Sequence, residues 1–153
     1  MLNTLDVELS MVSILMPLFN SGSWLKETIL SVQNQTHSNW ELVIVDDGSV
    51  DNSHTIAKEF EKKDPRITVI KQSNQGACAA RNRAFKISKG SFIQYLDSDD
   101  ILSPTKISEQ LIALSKTNDH KAVASCSWGK FKGEIKFNVK SDYTWLDKSF
   151  KPS

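Results

Sequence analysis

The segment Glu41-Leu42-Val43-Ile44-Val45 is continuous and β-branched, with none of the polar alternation of a half-exposed strand. Such a run has to be covered on both faces, as strands are when helices pack on either side of a parallel sheet. Residues 12–16, 67–70 and 91–96 are further strand-like runs. Between them the apolar spacing turns helical. Trp24, Leu25, Ile29 and Val32 mark a helix to about Gln35, Ile56 and Phe60 form an i, i+4 pair in a helix ending near Asp64-Pro65, and residues 77–88 form a third. No hairpin turn signal separates these units. The alternation predicts an α/β chain with a mostly parallel, Rossmann-like sheet flanked by helices and joined by right-handed crossovers.

Local punctuation sets the expected boundaries. Pro17, without an N–H, is expected to end the first strand. Ser21 or Ser23 is placed to cap the first helix and Asp51 or Ser53 the second, while Gly90 suits a left-handed stop after the third. Ser103-Pro104 reads as an N-cap with proline at the first helical position, followed by an apolar stripe at Ile107, Leu111 and Leu114. Past Lys116, residues 122–131 and 134–139 could pair as antiparallel strands across Gly133, at a mixed sheet edge. No repeat or low-complexity linker divides the chain, so 1–153 reads as a single domain.

Composition narrows the function classes. Nineteen Lys and Arg against eighteen Asp and Glu give a net charge of +1, which offers no global field for nucleic acid. Cys78 and Cys126 lack metal-ligand spacing and read as buried or semi-buried thiols in a reducing compartment; His37, His54 and His120 read as scattered surface residues. The first ten residues lack the basic and apolar regions of a signal peptide, and the longest apolar run, 11–19, is too short to span a bilayer and contains Pro17.

Two strands end on carboxylates. One runs into Asp46-Asp47-Gly48-Ser49, the other into Asp97-Ser98-Asp99-Asp100. Either motif alone reads equally as a turn and helix cap. Like charges about 4 Å apart repel by about 1 kcal/mol even in water, so a cation is expected at the second cluster, and carboxylates without His or Cys suit Mg²⁺ or Mn²⁺. A calcium-binding helix-loop-helix is disfavoured, because no glycine stands sixth from Asp97 and Ser108 occupies the position of the bidentate Glu. In open α/β sheets ligands collect outside the carboxyl ends of strands, so Asp46 and Asp97 are expected at adjacent strand ends, lining one cleft at the topological switch point. With a helix opening at Gly76-Ala77 and carrying Arg81, the set suits a nucleoside diphosphate with its metal.

The order of these motifs resembles the family 2 glycosyltransferases of the GT-A fold. The resemblance is carried by residues 12–20, ending Pro17-Leu18-Phe19-Asn20, by Ser31-Val32-Gln33-Asn34-Gln35-Thr36, by Val45-Asp46-Asp47-Gly48-Ser49, by Asn74-Gln75-Gly76 with Ala80-Arg81-Asn82, and by Leu96-Asp97-Ser98-Asp99-Asp100. It implies a metal-dependent, inverting transfer of a sugar from a nucleotide donor, a UDP-sugar, to a hydroxyl of a saccharide or lipid-linked acceptor. It further implies a nucleotide-binding part at 12–116 and the start of an acceptor-side part at 117–153, incomplete at the C-terminus. Residues Pro17 to Asn20 would floor the uridine, Asp46 or Asp47 would meet the uracil, and Gly76 and Arg81 would face the nucleotide. Asp97 would meet the ribose or metal, and Asp99 would coordinate Mn²⁺ or Mg²⁺ on the diphosphate. The resemblance assigns no catalytic base, which is expected beyond Ser153; Glu134, Asp142 and Asp147 are the last acids before it. The implied location is cytoplasmic, with possible peripheral association at the inner membrane face, and no nucleic-acid partner.

Two alternatives share the same features. One is a truncated nucleotide-sugar-binding module without transferase activity. The other is a sugar nucleotidyltransferase, which would want a Gly-rich loop with Arg and Lys near the first strand; residues 17–22 lack both charges.

Overall fold

The structure, a computed structural model, describes residues 9–116 and 122–125. Four strands and four helices alternate: β1 (Val12–Leu18), α1 (Leu25–Gln33), β2 (Trp40–Asp46), α2 (Ser53–Lys63), β3 (Ile67–Lys71), α3 (Ala77–Ile87), β4 (Phe92–Tyr95) and α4 (Lys106–Ser115). The strands form one parallel sheet in the order β3-β2-β1-β4. Every residue of β1 and β2 is buried, as continuous apolar strands require, whereas β3 at one edge alternates between buried and exposed positions.

Alternation of side chains along the strands divides the core between two faces. Val12, Ile14, Met16 and Leu18 of β1, with Leu42 and Ile44 of β2, pack against Leu25, Ile29 and Val32 of α1, Ala57 of α2, and Ile107 and Leu111 of α4. Leu15, Val43 and Val45 face the other way, onto Ala80 and Ala84 of α3. Small side chains on α3 let that helix lie close to the sheet. The chain therefore winds from β1 to β3 with helices on one face, then crosses to β4 on the far side of β1 with α3 on the other. Strand order reverses between β1 and β4, the position where such sheets hold ligands.

Several local expectations are corrected. β1 continues through Pro17 to Leu18. The Leu15 carbonyl accepts from Leu96 N–H on the β4 side and the Leu18 carbonyl from Asp47 N–H on the β2 side. Alternate residues thus address alternate neighbours, and Pro17 addresses β4 beyond the last pair, Leu15 with Tyr95, where no donor is needed. α1 and α4 start at Leu25 and Lys106 without a side-chain cap; the Ser21 carbonyl accepts from the N–H groups of Trp24 and Leu25, and Pro104 precedes the helix. Gly90 does not adopt a left-handed stop. α3 ends at Ile87 with Ser88 as its extended C-cap, and Gly90 is instead pressed against β1, where an added Cβ would stand 2.6 Å from Ser13 N. Cys78 is exposed, on the first turn of α3. His37 is buried, its Nε2 2.9 Å from the Ser10 carbonyl and 3.1 Å from that of Asn39, and His54 is half-buried against Asp46. Residues 122–125 are neither helix nor strand, and the expected strand pair otherwise lies outside the described residues, as do Cys126, His120, Glu134, Asp142 and Asp147.

Candidate functional site

At the carboxyl end of the sheet the loops open a cleft of about 300 Å³, lined by Pro17, Leu18, Phe19, Asp47, Asn74, Gly76, Ala77, Arg81, Asp97, Ser98 and Asp99. The exit of β1 floors it, because Pro17 and Leu18 close the sheet and the chain turns outward at Phe19. Asn20 takes a left-handed φ of 49° just outside this lining; its N–H donates to Ser49 Oγ at 3.1 Å and its Oδ1 accepts from Val50 N–H at 2.9 Å, tying the β1 exit to the β2 exit.

The two acids at the end of β2 have separate surroundings. Asp46 is fully buried and away from the cleft: its Oδ1 accepts from Ser49 N–H at 2.8 Å, and its Oδ2 faces His54 Nδ1 at 2.9 Å and Lys71 Nζ at 4.0 Å. Asp47 is the one that reaches the cleft. Its Oδ1 accepts from Gln72 Nε2 at 2.8 Å and Gln75 N–H at 2.9 Å, and its Oδ2 from Gly76 N–H at 2.8 Å. Burial opposes the charged form, but the donors of Gln72, Gln75 and Gly76 outweigh it and hold the Asp47 carboxyl below the usual range. The bond from Gly76 is possible because Gly76 takes φ 90°, turning its N–H back toward β2 before α3 begins. Gly48 (φ 82°) lets the next turn pass beside Asn74, whose N lies 3.1 Å from where a Cβ would be.

The acidic loop after β4 forms the opposite wall. Asp97 and Asp99 are exposed, Ser98 between them is buried, and Asp100 N–H donates to the Asp97 carbonyl at 3.1 Å. Arg81 of α3 donates through Nη2 to Asp97 Oδ1 at 2.5 Å, and this bond, against some burial, raises the arginine pKa further. Burial and then the charges of Asp99 and Asp97 push the Asp100 carboxyl up. Like charges are therefore crowded on one short loop facing the cleft. Among the described residues no group of three His, Cys, Asp or Glu side chains could by itself hold a metal ion. A two-carboxylate wall at the mouth of a cleft nevertheless fits Mg²⁺ or Mn²⁺, which keeps waters and takes substrate phosphates as further ligands rather than using an all-protein cage.

Of the residues expected from the sequence, Pro17, Leu18, Phe19, Asp47, Gly76, Arg81, Asp97 and Asp99 converge on this cleft, while Asn20 and Asp46 do not line it. Asp46 and Asp97 are not at adjacent strand ends, since β1 lies between β2 and β4. The reversal of strand order falls one strand away, and the two walls meet across the end of β1. Asn74 and Ala77 also line the cleft without having been singled out as site residues. Their signal was present in the Gly48 and Gly76 turns, which bring that loop against β2.

The family model described as glycosyl transferase family 2 matches residues 13–152. The chain belongs to this family. A Bacillus subtilis (strain 168) protein provisionally named as the teichuronic acid biosynthesis glycosyltransferase TuaG is 39% identical over 102 residues, which are 66% of this chain and 40% of that protein. Among solved structures, S. aureus TarS 1-349 in complex with UDP superposes with a TM-score of 0.64 at 27% identity, covering 69% of this chain and 32% of that one. The same TarS fragment in complex with UDP-GlcNAc gives a TM-score of 0.64 at 26% identity, over 70% and 31%. This family 2 chain spans less than half the length of the curated relatives it matches. These likenesses support the GT-A form of the Rossmann-like fold. Among the described residues no helix is long and apolar enough to cross a membrane.

Proposed function

We propose that the cleft binds the nucleoside diphosphate of a sugar donor, a UDP-sugar, and that the chain serves inverting transfer of the sugar to a hydroxyl of a saccharide or lipid-linked acceptor. The observation that carries this reading is the pairing of Asp47 on one wall with Asp97 and Asp99 on the other. A carboxylate has about four acceptor sites, and three of those on Asp47 are taken, which leaves one to accept from a base N–H. Phe19, half exposed, and Pro17 beside it offer an apolar floor on which a pyrimidine and ribose can lie, with Leu18 beneath as part of the core. TarS, a structural neighbour, holds UDP and UDP-GlcNAc, which favours uridine over other bases.

The acidic wall suits the diphosphate end. Asp97 and Asp99 would hold a divalent cation, Mn²⁺ or Mg²⁺, which when bound stabilises the charge that develops on the departing nucleoside diphosphate. Arg81 fixes one oxygen of Asp97 and sits at the cleft wall, so it can also meet an anionic group. Inverting transfer requires a carboxylate base within reach of the acceptor hydroxyl, and that group is expected outside the described residues. In this reading residues 12–116 form the donor-binding part and 117–153 begin the acceptor side. The setting is cytoplasmic, with lipid-linked acceptors drawing the protein to the inner membrane face.

Base recognition is the point to test. Uracil carries an N3–H that Asp47 can accept, whereas cytosine presents a bare acceptor there, and a site built around a hydrogen bond rejects the analogue that lacks it. Calorimetric titration should give UDP at least about tenfold tighter binding than CDP, a gap worth about 1.4 kcal/mol. Equal affinities would remove Asp47 from base recognition.

A further inference from the structure

Ser98 is buried between two exposed carboxylates. Its Oγ lies 2.7 Å from Ser21 Oγ in the β1–α1 loop. The Ser21 hydroxyl donates to the Phe19 carbonyl at 3.2 Å. A serine has one proton to give, so Ser98 is the donor in the pair, and the hydroxyls run Ser98 to Ser21 to Phe19. Two further bonds hold this arrangement. Thr28 Oγ1 of α1 shares its one proton between the Ser98 carbonyl at 3.1 Å and the Trp24 carbonyl at 3.2 Å, and Ser21 N–H donates to Ser53 Oγ, at the start of α2, at 2.9 Å. The acidic loop is thereby fastened to the floor of the cleft through its middle residue, while the acids on either side stay exposed.

We propose that Ser98 and Ser21 are positioning residues: their hydroxyl pair sets where the Asp97 and Asp99 carboxylates stand relative to the Phe19 floor, and so matches the cation-holding wall to the diphosphate of a nucleotide lying on that floor. This inference rests on the donor-site reading above. Neither hydroxyl needs to touch the cation. Without the pair, the acidic loop keeps its charge but loses one of the bonds that hold it to the floor, so the loss falls on the cooperation between metal and nucleotide.

The test is titration of UDP, with and without Mn²⁺, into the 153-residue chain and its Ser98→Ala, Ser21→Ala, double and Ser98→Thr variants, each checked for folding by circular dichroism. A neutral hydrogen bond is worth about 1 kcal/mol, so the ratio of UDP affinity with Mn²⁺ to that without should fall about fivefold in either alanine variant. The double variant should fall no further than Ser21→Ala alone, because that substitution already removes both the Ser98–Ser21 and the Ser21–Phe19 bonds. Ser98→Thr, which keeps the hydroxyl, should restore most of the ratio. A ratio unchanged in folded Ser98→Ala, or losses that simply add, would overturn the proposal while leaving the donor site intact. If the unsubstituted chain binds no UDP, the donor-site reading fails, and this inference fails with it. Should Ser98→Ala not fold, Ser21→Ala and Ser98→Thr decide alone: an unchanged ratio in the first or a fully lost ratio in the second refutes it.

Discussion

Asp46 and Asp47 are neighbours with the same chemistry and opposite surroundings. Successive side chains of a strand point to opposite sides, so where β2 ends only one of the pair can face the cleft. Asp47 does so and gathers donors from the next loop, whereas Asp46 turns inward to Ser49 and His54. The sequence shows that a carboxylate pair ends this strand but leaves open which member faces out, because that depends on the last residue's twist. Asp64 shows how much a single acid can weigh. Arg66 hydrogen bonds lower its pKa to about 2, with burial opposing and Gln33 assisting. The folded value lies below the ordinary aspartate value of about 3.9. Its contribution is therefore fully present above about pH 4 and is lost as the pH falls toward 2, an amount on the order of 2 kcal/mol. In urea titrations the stability gap between the unsubstituted chain and Asp64→Asn should be near that size at pH 7 and shrink toward zero by pH 2. A gap independent of pH would refute the assignment.

At the scale of elements, order and type were legible because two buried central strands cannot be written in sequence without continuous apolar runs, and helices cannot cover them without a 3.6-residue stripe. Ends were less legible. The Pro17 rule assumed that both sides of a central strand need donors, and β4 stops pairing with β1 before reaching it. By sequence Gly90 suits a local helix stop, but its role is tertiary. The turn after α3 runs into a buried cluster in which Glu41 Oε1 accepts from Ser13 Oγ at 2.6 Å and from Lys89 N–H at 2.5 Å, while Gly90 N–H donates to Ser13 Oγ at 2.8 Å. A Cβ on residue 90 would meet the Ser13 backbone N and Oγ and the Met11 carbonyl, all under 3 Å. Gly90→Ala should therefore cost about 1–3 kcal/mol by overpacking, read as a lower denaturation midpoint, with no compensation from the helix. A neutral or stabilising effect, as a simple helix-end substitution would give, would show that the β4 entry is not packed as described.

For the whole molecule, the strand order β3-β2-β1-β4 explains why residues so far apart in sequence form one wall-and-floor site: winding one way and then crossing over brings the exits of β1, β2 and β4 together with the start of α3. The sequence carried the components of that site through its resemblance to family 2 glycosyltransferases, but not their layout. Asp46 and Asp97 were expected on adjacent strands, and chain order alone does not say that β1 stands between. Nor could pattern reading find the Ser98–Ser21 bond, which spans 77 residues and joins two loops. In the proposed function this layout holds a nucleoside diphosphate together with a divalent cation. The most direct test is calorimetric titration of UDP into the chain and into Asp99→Asn, each with and without Mn²⁺. The account predicts one UDP site per chain, strengthened by Mn²⁺, with that strengthening largely lost in Asp99→Asn. Absence of UDP binding by the unsubstituted chain, or an undiminished Mn²⁺ effect in Asp99→Asn, would contradict it.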